Sequence, residues 1–120
     1  MSDNVLPKEV VRAGDEYMPV ETRYEMADGV IVVSNLFVKA GAFLPQHSHE
    51  HPHISFVAAG RVKMWQDGKY LGEFNKNDHI VIPEHTKHVH QAQEDGTIVL
   101  CIHRYDRTGN IDVSEEHQIA

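Results

Sequence analysis

Eight of the chain's ten histidines fall in two stretches, His47, His49, His51 and His53 in the first and His79, His85, His88 and His90 in the second. In His47-Ser-His49-Glu-His51-Pro-His53 the imidazoles alternate with other residues, so an extended backbone projects all four to one side. Pro52 interrupts a regular ladder and turns His51 away from the other three. His88 comes across from His47 and His49 if the two stretches lie in facing sheets. Each imidazole buried without a hydrogen bond costs about 1–3 kcal/mol, and a divalent ion offsets that cost by direct ligation. Metal binding is therefore the chemistry to expect, the plain alternative being histidines satisfied by hydrogen bonds alone. Neutral imidazole suits zinc, copper, iron and nickel, and manganese where the geometry is octahedral with open positions.

The elements that must position these residues read as strands. Short β-rich runs alternate with turn residues, and almost no 3.6-residue stripe is long enough for a helix. Val30–Val38 follows the turn Asp28-Gly29 and ends at Ala40-Gly41. His53–Ala59 comes next, and Gly60 turns the chain into Arg61–Gln66. Asp67-Gly68 is the strongest hairpin signal, because a type I′ turn takes positive φ at both central positions; Tyr70–Phe74 pairs back across it. His79–Ile82 closes at Pro83, and Lys87–Ala92 and Thr97–Tyr105 flank the turn Asp95-Gly96. About eight short strands so spaced predict an all-β sandwich or barrel. No composition shift divides the chain, so residues 1–120 are read as one domain. Met1–Pro19 and Asp106–Ala120 are weakly patterned arms, the first supplying an edge strand or a short helix near Pro7–Arg12. In the last strand Val99, Cys101 and His103 alternate with Ile98, Leu100 and Ile102. Both sets are apolar enough to bury, so alternation alone does not choose the inward face.

The spacing of these residues resembles the cupin family. Its first motif is a glycine, five residues, His-x-His, three or four residues, a glutamate, six residues and a glycine. Here the chain reads Gly41, five residues, His47-Ser-His49, three residues, His53, six residues and Gly60. The second motif, a glycine, five residues, a proline, any residue, a glycine, two residues and a histidine, is matched by Asn77, Pro83, His85 and His88 at the same spacing. Asn77 and His85 replace the glycines, and His53 stands at the glutamate. The resemblance covers roughly Val30 to Tyr105 and implies a double-stranded β-helix, or jelly-roll barrel. It also implies a metal held by His47, His49, His53 and His88, with His51 as the rival to His53. The set is similar to small single-domain cupins with four-histidine sites rather than to enzymes with three histidines and a glutamate, such as oxalate oxidases and decarboxylases. Without the carboxylate the ion keeps its full formal charge and is the stronger Lewis acid, and four ligands on an octahedral ion leave two positions open.

By the same resemblance Cys101 points inward beside the metal. His90 shares the strand face of His88, and with His103 it is a candidate beside the ligands; His79, His85, His90 and His103 are otherwise surface or rim residues. Trp65, Phe37, Phe43, Phe56 and Phe74 are read as core or cavity wall, and Glu50 and Glu84 as exposed. The function implied is a metal-dependent oxidoreductase, dioxygenase-like, acting on a small chelating, oxygen-rich molecule. One alternative is a non-redox isomerase or lyase, for which His90, His103 or Tyr105 would be the base; another is a non-catalytic metal or small-ligand binding module.

The net charge of −7 without basic clusters argues against nucleic acid as a partner. The lack of an apolar run near ~20 residues argues against a membrane span. The start MSDNVLPKEV lacks a leader pattern, and the single Cys101 excludes an internal disulfide; both fit a cytoplasmic protein. Apolar strand edges predict a homodimer.

Overall fold

The structure is a computed structural model, described over residues 5–7, 20–44 and 50–104. Eight strands are present there: β1 (Val20–Ala27), β2 (Val30–Phe37), β3 (His53–Ala59), β4 (Arg61–Gln66), β5 (Lys69–Asn75), β6 (His79–Ile82), β7 (His88–Ala92) and β8 (Thr97–Arg104). They form a five-stranded sheet in the order β1-β2-β8-β3-β6 and a three-stranded sheet in the order β5-β4-β7, with every strand pairing antiparallel. The expected all-β jelly roll is the observed fold. Of the stretch near Pro7–Arg12, only Pro7 is described, and it lies outside any strand.

One strand was not anticipated. β1 carries a charge at every second position, Glu21, Arg23 and Glu25, which masks its apolar set. Its other face, with Val20 and Tyr24, packs on the core. The residues expected only to precede a strand, Asp28 (φ 48°) and Gly29 (φ 87°), are a two-residue hairpin turn joining β1 to β2, with Ala27 opposite Val30. Asp67 (φ 51°) and Gly68 (φ 80°) do the same between β4 and β5, as type I′ chemistry requires. The exposed guanidinium of Arg61 then ties the start of β4 to Glu94 at 2.8 Å and to Glu73 on β5 at 3.2 Å. Its pKa is raised, chiefly by the hydrogen bond to Glu94 and then by the charge of Glu73.

Side chains from both sheets meet in the core: Ile31, Val33 and Phe37 of β2, Val57 of β3, Val62 and Met64 of β4, Ala92 of β7, and Val99 and Cys101 of β8. Each Val, Ile or Phe so buried contributes about 1.5–3 kcal/mol relative to exposure. Trp65 is buried and its ring lies 5.5 Å from that of Tyr70, while Phe74 packs at the core margin. Phe56 departs from the expected core set. It is paired with Leu100 and with His79 on the outer face of the five-stranded sheet and is only half-buried. The inward set on β3 is His53, Ser55 and Val57.

Two departures from the glycine pattern are resolved by the backbone. Asn77 (φ 78°) and His85 (φ 61°) both adopt the left-handed conformation that glycine would take, which Asn and His enter more readily than most residues. Asn77 donates its N–H to the Val57 carbonyl at 2.8 Å, and Val57 donates to the Asp78 carbonyl at 2.9 Å. His85 is exposed in the turn that Thr86 closes through a 2.7 Å hydrogen bond to the Pro83 carbonyl. Its left-handed backbone is strained relative to glycine, so His85→Gly is expected to stabilise the domain by roughly 0.5–1 kcal/mol. Denaturant titration checks this; a lower midpoint in the variant would mean that the imidazole itself holds the turn.

Candidate functional site

Register decides which side chains reach the interior. On β8 the buried set is Thr97, Val99, Cys101 and His103, which settles the face that alternation left open: Cys101 and His103 both point inward. β3 and β8 pair antiparallel with Ser55 opposite Cys101, so His53 and His103 lie at the same end of the five-stranded sheet. Their rings stack at 4.6 Å between centroids, 27° from parallel. In the facing sheet, β7 begins at His88 and carries His90 two residues on, with both rings inside and 5.4 Å apart.

The sheets meet at this end. His53 and His88 are 5.0 Å apart between ring centroids, and His51, in the approach to β3, sets its ring edge-on to His103 at 5.9 Å. Five imidazoles thus run in unbroken succession, from half-buried His51 through His103, His53 and His88 to His90, the last four at most 3% exposed. His90 and His103, expected as rim or neighbouring residues, are part of this buried succession, whereas His79 and His85 are exposed.

Of the four expected ligands, His53 and His88 are brought together, and His47 and His49 lie outside the described residues, as does Tyr105. Among the described residues no three His, Cys, Asp or Glu side chains form a metal-binding group. The pair that is described fits co-ligation. Two imidazoles on one ion have centroids roughly 4.5–6 Å apart, given metal–nitrogen distances of about 2.0–2.1 Å. The chain leading to His47 is also placed suitably: Gly41 (φ 93°) donates to the Ala92 carbonyl at 2.8 Å, and Phe43 bridges Gln91 in antiparallel sense. Residues 41–44 therefore run along β7 toward its His88 end.

Beneath the imidazoles lies a polar line that the sequence reading passed over. Thr22 of β1 donates to Asn35 Oδ1 at 3.0 Å, Asn35 Nδ2 donates to Cys101 Sγ at 4.0 Å, and Ser55 Oγ lies 3.8 Å from the same sulfur. Asn35, Ser55 and Cys101 are all buried. Alternation from His53 would have pointed to Ser55, and the inward register of β2 to Asn35. Along the inner face of the large sheet the lining thus changes from imidazole at His53 and His103 to Ser55 and Cys101, then to Asn35 level with Val57 and Val99, and then to Phe37 and Thr97. Among the described residues no carboxylate is a buried polar side chain, and Glu50 and Glu84 are exposed.

No family model and no curated protein matches the sequence. Solved structures do match the fold. KdgF from Halomonas sp. is 24% identical, with 74% of this chain and 82% of that one covered at a TM-score of 0.65. An RmlC-like cupin protein from Desulfovibrio desulfuricans is 28% identical, with 78% and 89% covered at 0.59. The DMSP lyase DddQ from Ruegeria pomeroyi is 19% identical at 0.62, with 73% of this chain and 48% of the lyase covered, so this chain corresponds to about half of that protein. Two facing antiparallel sheets, glycine-type backbone at Gly41, Gly60, Asn77 and His85, and this likeness to known cupin structures identify the chain as a small domain of cupin fold.

Proposed function

We propose that the domain is a metal-dependent enzyme for small chelating molecules, using His47, His49, His53 and His88 as ligands and acting by non-redox, lyase- or isomerase-type chemistry. The observation that carries it is the convergence of buried imidazoles from both sheets, His53 and His103 from one and His88 and His90 from the other, with no buried carboxylate among the described residues. When bound, a divalent ion without a carboxylate ligand would supply Lewis acidity to polarise a substrate oxygen.

The remaining groups have separate tasks. His103, stacked on His53, and His90, beside His88, are imidazoles outside the ligand set, placed to take up or return a substrate proton through a ring nitrogen. Burial excludes water and strengthens each polar contact a substrate makes. Ser55 and Asn35 hold the Cys101 side chain in place beneath the imidazoles and keep that part of the floor polar. Flanking acid–base groups suit proton transfer at a bound substrate, the step on which lyase- and isomerase-type chemistry turns; the dioxygenase-like reading expected from the sequence is the alternative that metal identity and O₂ uptake separate from it. A DMSP lyase among the structural neighbours is consistent with bond-breaking chemistry on this fold.

Elemental analysis of protein purified without added metal tests the proposal. Zinc at full occupancy, followed by turnover of small carboxylate- or hydroxyl-bearing substrates under anaerobic conditions, is the expected result. Native iron with O₂ uptake on addition of such substrates would overturn it in favour of the dioxygenase-like reading. Absence of any bound metal would leave neither.

A further inference from the structure

β7 brings His88 to the interior from a weakly supported place in its sheet. In the order β5-β4-β7 it is an edge strand, and His88 is its first residue. Its other end is held on both sides, by β4 with Val62 opposite Ala92 and by hydrogen bonds of Ala92 with Gly41 and Ala42. At the His88 end β4 is the neighbour among the described residues, and the last pair in register is Gln66 opposite His88. β4 stops there because Asp67 and Gly68 turn the chain back into β5. A strand end of this kind frays unless something beyond it is tied down.

Asp67 supplies the tie. Its N–H donates to the Lys87 carbonyl at 2.6 Å, and the Lys87 N–H donates to Asp67 Oδ1 at 2.9 Å. In an antiparallel ladder a hydrogen-bonded pair exchanges two bonds between N–H and carbonyl groups. At φ 51° Asp67 has left the extended conformation, and its carboxylate oxygen takes the place of the carbonyl. The ladder thereby gains one pair beyond His88. A type I′ turn asks only for positive φ at this position, which Asn, Asp and Gly all meet. An acceptor for Lys87 is a further demand, and glycine does not meet it.

We infer that Asp67 is a positioning residue for His88, acting through the backbone of Lys87; this role rests on the ligand set proposed above. With Lys87 clamped, His88 lies inside the ladder instead of at its end, and its backbone is fixed before an ion arrives. Without the clamp that ordering falls to the binding step. Ordering one residue's backbone is equivalent to roughly 5–30-fold in an equilibrium constant. Asp67 and Lys87 are both exposed, so the bonds between them act locally and add little to global stability.

Asp67→Gly removes the acceptor and keeps the turn, whereas Asp67→Asn keeps both. Zinc affinity of the folded, metal-free protein, measured by competition with a chromophoric chelator, is expected to fall about 10-fold in Asp67→Gly and to match the wild type in Asp67→Asn. Asp28→Gly makes the same change in the β1–β2 turn, where φ is 48°, and should leave the affinity unchanged. Equal affinity in Asp67→Gly and the wild type would overturn the inference while the ligand set stands, as would a loss in Asp67→Asn that matched the glycine variant. A wild type that binds no zinc would instead bring down the ligand set, and this role with it. Should Asp67→Gly fail to fold, amide hydrogen exchange in the wild type decides. The Lys87 amide is expected to be protected before zinc is added; protection that arises only with zinc would refute the clamp.

Discussion

His88→Ala is expected to reduce metal affinity at least about 100-fold, more than replacement of a neighbour of a ligand, which typically costs 10–100-fold. His88 is 1% exposed and its ring lies between those of His53 and His90, at 5.0 and 5.4 Å. It is the first residue of β7 and the proposed ligand from the three-stranded sheet, so no other member of the set replaces it from that side. His53→Ala should behave alike, whereas His90→Ala should keep stoichiometric metal and lose turnover. Elemental analysis reads the first outcome directly. A second reading comes from heat: a ligand that binds only the folded state stabilises it by mass action, so a chelator should lower the wild-type Tm and leave that of His88→Ala unchanged. Stoichiometric metal retained in His53→Ala would transfer that ligand role to His51, which lies one alternate position back.

The second large effect is structural. Gly60→Ala should destabilise the domain by roughly 3–5 kcal/mol, from three sources. Gly60 has φ +76°, where a side chain costs about 1–2 kcal/mol. A Cβ there would stand 2.9 Å from Thr97 Cα and collide with Thr97 Oγ1, an overpacking of about 1–3 kcal/mol. Thr97 is fully buried, and its hydroxyl lies 2.8 Å from the Glu94 carbonyl and 3.2 Å from that of Arg61; displacing it endangers bonds worth about 1 kcal/mol each. Gly68→Ala is the control. Gly68 has φ +80° but nothing within 4 Å of its would-be Cβ, so only the conformational cost remains. Urea unfolding should separate the two variants by about 2 kcal/mol or more; equal losses would refute the steric account of Gly60.

The same contrast explains what could be read in advance. The strands from β2 onward were legible because turn residues with fixed backbone demands punctuate them: Asp28-Gly29, Gly60 and Asp67-Gly68 all take positive φ. β1 was missed because an edge strand with charges on its outer face has no apolar run to find. The candidate site was legible as far as spacing allows. His53 and His88 were named from the sequence and stand together, and the inward direction of Cys101, which alternation left open, follows from pairing with β3. Phe56 was misplaced for the reason that left β8 ambiguous: apolar residues on an outer sheet face carry the same signal as those in a core. His103 and His90 could be listed, but their closeness to His53 and His88 depends on how far two strands slide past each other, which no single strand encodes. Ser55 and Asn35 were passed over although alternation from His53 and along β2 points to them, because a lone polar residue in a strand looks the same whether it faces solvent or a thiol.

His53 and His88 are the opening residues of β3 and β7, and His103 is the penultimate residue of β8. The proposed chemistry therefore belongs to a rim where three strands start or stop, one peptide bond from non-strand residues in two cases. On that proposal, changes at residues 50–52 and 83–87, which precede His53 and His88, would alter which molecules bind and which group is protonated, while the core from Ile31 to Cys101 stays as it is. Such a division lets one barrel acquire new reactions by loop drift without a toll on its stability.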